Sequence, residues 1–113
     1  MRAFSGQVGR HPSGFMMTMV ALDFAVGDTY ELVVSAGEDP VHVAAVLSRI
    51  GQRYAPNLVT HFRPPTENVR LAELAPFVAS QVAKDGKTTF YLCKDFACQA
   101  PTHDLETVLR QID

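Results

Sequence analysis

With 113 residues, the chain has room for one domain and one modest core, since a chain of this size buries roughly 65% of its unfolded surface. Apolar residues make up 47% and charged residues 19%, a globular composition and not that of a disordered chain. A formal charge of −2 lacks the clustered Lys and Arg of a nucleic-acid footprint, and no apolar run reaches the length of a membrane span. Met1-Arg2-Ala3-Phe4 leads into polar sequence and not into a signal peptide, and two cysteines do not make a secreted disulfide scaffold. The expectation is therefore a cytoplasmic protein with no nucleic-acid partner, no membrane partner and no implied cofactor.

In chain order, residues 1–12 carry Gly6, Gly9 and Pro12 without periodicity and read as an irregular lead-in. Ser13 is a candidate cap for a helix from about Gly14 to Ala25. Phe15, Met16, Met17, Met19, Val20, Leu22, Phe24 and Ala25 cover most of its circumference instead of one stripe. A helix that is apolar nearly all round expects burial on several sides. A chain this short cannot easily surround it, so Phe15, Met16, Met19, Val20 and Phe24 form a candidate hydrophobic interface, for self-association or for neighbours this chain lacks. The alternative is a helix packed on the sheet with a few exposed methionines.

Gly27-Asp28 breaks this helix and divides the chain into residues 1–26 and a small α/β unit, 27–113. Tyr30–Ala36 is the best strand, with Leu32-Val33-Val34 suited to a parallel strand covered on both faces. Asp39 suits an N-cap and Pro40 the first turn of a helix through Val41–Tyr54, closed by Pro56. Leu58–Arg63 is a second strand, ended by Pro64-Pro65. Pro76 limits the next helix to about Arg70–Ala75, and Asp85-Gly86 is a turn. Thr88–Cys93 is the third strand. A loop through Lys94-Asp95-Phe96-Ala97 follows, and Asp104 caps a last helix, Leu105–Ile112, with Leu105, Val108, Leu109 and Ile112 inward. Strands alternating with helices imply an α/β fold: a small three-stranded, mostly parallel sheet with flanking helices, the first strand in the middle, preceded by one very apolar helix.

Chemistry-bearing residues are few. Cys93 and Cys98 stand in a C-x4-C spacing, with the first at a strand end, unlike the C-x-x-C of a thioredoxin-type site at a helix N-terminus. They are a candidate redox or disulfide pair, or two small thiols packing a loop. Zinc needs four ligands; Cys93, Cys98, His103 and His61 are weak candidates. Gly37 with Glu38-Asp39 sits at the strand-to-helix corner where ligands collect in doubly wound sheets, but acidic residues there favour plain helix capping over phosphate binding. His11, His42, His61 and His103 fall into no recognisable catalytic spacing, and no catalytic residue is assigned.

Three strings carry a resemblance: YELVVSAG over 30–37, Tyr54-Ala55-Pro56-Asn57 after a helix, and YLCKDFACQAP over 91–101 followed by Thr102 and Asp104. Together they resemble the C-terminal end of the thioredoxin-domain-containing family that includes the spermatogenesis-associated thioredoxin-like proteins and bacterial YyaL-type proteins. Members join a thioredoxin-like domain to an α/α toroid similar to six-hairpin glycosidases and end in a small α/β segment. The resemblance covers about Pro12–Ile112, and its most specific piece is the Cys string. It implies that Gly14–Ala25 corresponds to the last toroid helix. It also implies that Cys93/Cys98 is not the family's redox motif, and that any sugar pocket lies on helices absent here. The function so implied is a non-catalytic C-terminal module packing against a toroid. The alternatives are a small thiol-redox protein using Cys93 and Cys98, or a free-standing ligand-binding domain with its site beyond Ala36–Gly37.

Overall fold

The computed structural model describes residues 4–66, 69–95 and 97–112. Its elements are α1 (Ser5–Arg10), a 3-10 turn (Pro12–Phe15), α2 (Met16–Val26), β1 (Tyr30–Ser35), α3 (Pro40–Gly51), β2 (Leu58–Arg63), α4 (Val69–Leu74), a second 3-10 turn (Pro76–Ser80), β3 (Thr89–Lys94), β4 (Ala97–Cys98) and α5 (Leu105–Ile112). The sheet has four strands in the order β2-β1-β3-β4.

The fold is α/β with β1 inside the sheet, but the sheet is mixed. β1 pairs parallel to β2, Tyr30 opposite Leu58, with α3 as the crossover. β3 pairs antiparallel to β1, Leu92 opposite Leu32 and Thr89 opposite Ser35. This corrects the expectation of a mostly parallel sheet of three strands. A parallel return from β2 needs a crossover long enough to span the sheet. Among the described residues, the segment between β2 and β3 holds only the six-residue α4 and a 3-10 turn opened by Pro76. It ends beside Ser35, where β2 also finished, so β3 runs back. A Lys84–Lys87 hairpin turn sharpens that return: Asp85 and Gly86 both adopt left-handed φ, 54° and 66°, as a tight Asp-Gly turn requires. The fourth strand, β4, is two residues long and lies in what the sequence presents as a loop; the expected turn residue Phe96 lies outside the described residues.

The run Leu32-Val33-Val34 is covered on both faces, as its composition implies. Leu32 and Val34 join Val46, Ile50, Phe90, Leu92, Val108 and Leu109 under α3 and α5. Val33 and Tyr91 meet Ala75 and Val78 on the opposite face. The Asp39 carboxylate accepts hydrogen bonds from the Val41 and His42 amides, and Pro40 opens α3, as expected. That helix ends at Gly51, ahead of Tyr54 and Pro56. Asp104 caps α5 by accepting from the Glu106 amide at 3.1 Å and from the Thr107 hydroxyl.

The N-terminal part differs from expectation in two details. Residues 5–10 form α1 where an irregular lead-in was expected. Ser13 does not cap the apolar helix: it lies inside the turn that Pro12 opens, and α2 starts at Met16 with Phe15 at the cap position and no capping hydrogen bond. α1, the turn and α2 pack chiefly on one another. The radius of gyration is 16.9 Å, against about 13 Å for a compact chain of this length, so these helices project as an arm from the sheet.

Candidate functional site

Three places on the molecule combine chemistry with access. The first is the cysteine hairpin. β3 ends in Cys93-Lys94, Asp95 turns the chain with φ 50°, and β4 returns with Cys98 opposite Cys93. The Gln99 amide then donates to the Leu92 carbonyl, and Thr102 and Phe90 exchange both backbone bonds, so the returning chain stays along β3 past Pro101. Cys93 and Cys98 are joined by a disulfide. Cys93 is 2% exposed, whereas Cys98 lies exposed on the edge strand. Gln81, from the segment after the second 3-10 turn, places its amide against both sulfurs.

Beside this hairpin, Lys94 binds Asp28 at 2.8 Å and lies 5.3 Å from the centre of the Tyr30 ring. The hydrogen bond to Asp28 is the main reason its ammonium is held above the usual lysine range. On the same face as Cys93, the Tyr91 hydroxyl donates to the Val82 carbonyl; burial pushes its phenol up, and the Arg63 guanidinium partly opposes this.

The second place is a cleft of about 460 Å³ at the carboxyl ends of β1 and β2, lined by Ser35, Gly37, Glu38, Arg63, Pro64 and Gly86 among others. This is the strand end at which the sequence placed a possible ligand site. Its shape depends on Gly37: a Cβ there would lie 2.4 Å from the Thr88 nitrogen, so only glycine lets residues 86–88 cross so close. The Asp39 cap occupies the first amides of α3, which leaves that helix end no open anion cradle.

The third place is the arm. α2 has no buried residue. Met16 is 68% exposed and Val20 58%, and Met19 and Phe24 are also exposed, while Phe15 is half-buried. Phe15 and Met19 line an apolar groove of about 700 Å³ with Phe4, Val8, Pro12 and Leu22. Of the five interface candidates, the groove thus gathers Phe15 and Met19, and Met16, Val20 and Phe24 lie outside its lining.

The four metal candidates are not brought together. Cys93 and Cys98 bond each other, His61 sits on β2 opposite Val33 with its ring edge-on to Phe77, and His103 directs Nδ1 to the Thr88 carbonyl at 3.0 Å. Among the described residues, no group of three or more His, Cys, Asp or Glu could hold a metal ion. Nor is any helix among them long and apolar enough to cross a membrane. The residue that sequence reasoning missed is Gln81: it stands in an irregular stretch, and only tertiary packing brings it to the sulfurs. Comparisons with family models, curated proteins and solved structures return no match.

Proposed function

We propose that this chain is a non-catalytic α/β module that docks through its N-terminal arm onto a larger helical body, of the α/α-toroid kind that precedes such a segment in the family it resembles. One observation supports this above the others: α2 is apolar on nearly every side and buries none of its residues within its own chain. Exposed apolar residues scattered singly need no explanation, but a contiguous patch of them does. A helix framed by others of a toroid would have all its faces covered, and here Met16, Met17, Val20 and Val26 are all more than half exposed. In this reading the sheet body is a platform that orients the arm, and Lys94 on β3 binds Asp28, two residues past the end of α2.

Sedimentation of the isolated chain tests the reading. Concentration-dependent association or precipitation is expected, relieved in a Met16→Ser/Val20→Ser/Phe24→Ser variant with an unchanged sheet signature. A wild-type chain that stays monomeric and soluble up to high concentration would count decisively against it.

A second reading rests on the 460 Å³ cleft, which places Arg63 and Glu38 at the carboxyl ends of two parallel strands, where ligands of open α/β sheets bind. It expects a small polar ligand to shift backbone resonances of residues 35–38 and 63–64 and Arg63→Ala to abolish that response. Absence of any such shift across a panel of polar metabolites sinks it.

A further inference from the structure

The cysteine hairpin carries an inference independent of docking. Gln81 is 8% exposed, and its Nε2 lies 3.6 Å from Cys98 Sγ and 4.0 Å from Cys93 Sγ. Its Oε1 is buried with no hydrogen-bond partner among the described residues. The backbone of Gln81 is fixed on both sides, its carbonyl accepting from Ser35 Oγ and its amide donating to the Val78 carbonyl. A buried acceptor without a donor is costly, and native proteins rarely keep one. A disulfide has no proton to offer it. A dithiol has: an S–H can donate to Oε1 while Nε2–H donates to the other sulfur. Reduction therefore completes the hydrogen bonding of Gln81, and oxidation leaves it half made.

We propose that Cys93 and Cys98 form a thiol–disulfide exchange centre for a dithiol partner, with Cys98 the sulfur that exchanges and Gln81 a positioning residue that stabilises the dithiol form. Access sets the direction of attack. A partner thiolate attacks Sγ of the exposed residue Cys98 and forms a mixed disulfide with it. The Cys93–Cys98 bond breaks, and its electron pair leaves on Cys93 Sγ as a thiolate, which accepts from Gln81 Nε2. Burial alone would make Cys93 a poor leaving group, and the amide donor offsets that. The partner's second thiolate then attacks its own bonded sulfur, closes the partner's disulfide and releases Cys98 as a thiolate. Solvent takes the two protons that the partner's thiols lose and returns two to Cys93 and Cys98. The partner is oxidised by two electrons and the hairpin reduced by two. Both residues of β4, Ala97 and Cys98, are exposed.

The full chain, equilibrated in mixtures of reduced and oxidised dithiothreitol and then acid-quenched and alkylated, should show a reversible two-electron transition by mass. Gln81→Leu should lower the dithiol-to-disulfide ratio by about tenfold in the same buffer, the scale of one lost buried hydrogen bond. A role in packing alone would lower stability without moving that ratio. Gln81→Met serves if the leucine variant does not fold. Separately, Cys93→Ser should capture oxidised glutathione on Cys98 at least about tenfold faster than Cys98→Ser captures it on Cys93, as exposure dictates. A hairpin that fails to interconvert in either direction, an unchanged ratio in a folded Gln81 variant, or equal capture by the two single-cysteine proteins would each overturn the proposal.

Discussion

β1 and α2 draw on the same apolar residue types and end in opposite states. Leu32, Val33 and Val34 are each 0% exposed, covered from two sides by helices of their own chain. α2, Met-Met-Thr-Met-Val-Ala-Leu-Asp-Phe-Ala-Val, has no buried residue. The difference lies in what the chain can supply around each. A strand has two faces, and α3 with α5 on one and α4 with its 3-10 turn on the other suffice. A helix apolar around its circumference needs neighbours on every side, and among the described residues the arm offers only α1 and one turn. Hydrophobic composition thus states a demand for burial, and the fold decides whether the same chain meets it.

The largest effect expected from this contrast is a core truncation. Phe90→Ala, removing a ring 1% exposed between α3 and α5, should cost about 3–5 kcal/mol in urea unfolding. That is a large share of the stability of a domain this small. Val20→Ala on α2, at concentrations low enough to keep the chain monomeric, should stay within about 0.5 kcal/mol, as surface changes do. If the two substitutions cost the same, α2 is covered in solution, and the contrast between sheet and arm is lost for the isolated chain.

That contrast was partly legible in the residues. The all-round apolar helix was visible from its sequence, because a missing stripe is a local pattern. So were β2, with its bounds at Leu58 and Arg63, the Asp39 cap and the inner face of α5. The direction of β3 was not. Alternating elements suggest parallel crossovers, and both-face burial of β1 strengthened that suggestion, but burial on two faces says nothing about the direction of a neighbour. The usable signal was Pro76, which left the β2–β3 connection no helix long enough to cross. The site was less legible still. Cys93 and Cys98 stood out, yet their bond depends on β4, two residues long, and Gln81 carries no pattern before the chain folds.

Within the sheet body, opening the Cys93–Cys98 bond sharpens the comparison. The ring it closes is short, so its loss should cost only about 2 kcal/mol in the loop-entropy picture. Differential scanning calorimetry of oxidised and reduced protein should show a lowered but still cooperative transition. A noncooperative trace on reduction would mean that the hairpin holds the sheet together, contrary to a core built on β1. Asp39→Ala, which leaves the Val41 and His42 amides without their acceptor, should follow at about 1 kcal/mol. Asp39→Ser should recover most of that loss in the same urea titration; failure to recover would point to a role for the carboxylate beyond capping.

The smallest effect concerns acid. The hydrogen bond from the Thr107 hydroxyl, followed by the amide bonds at the start of α5, holds the Asp104 carboxyl below its ordinary pKa. A carboxylate depressed in the folded state binds fewer protons folded than unfolded, so it favours folding as pH rises. Its contribution is complete above the unfolded pKa and is lost as pH falls through the lower folded value. Asp104→Asn, which keeps a capping oxygen without the charge, should remove that part of the acid dependence and flatten the stability–pH curve below about pH 4. The change should move the acid-unfolding midpoint by a few tenths of a pH unit at most, read by circular dichroism.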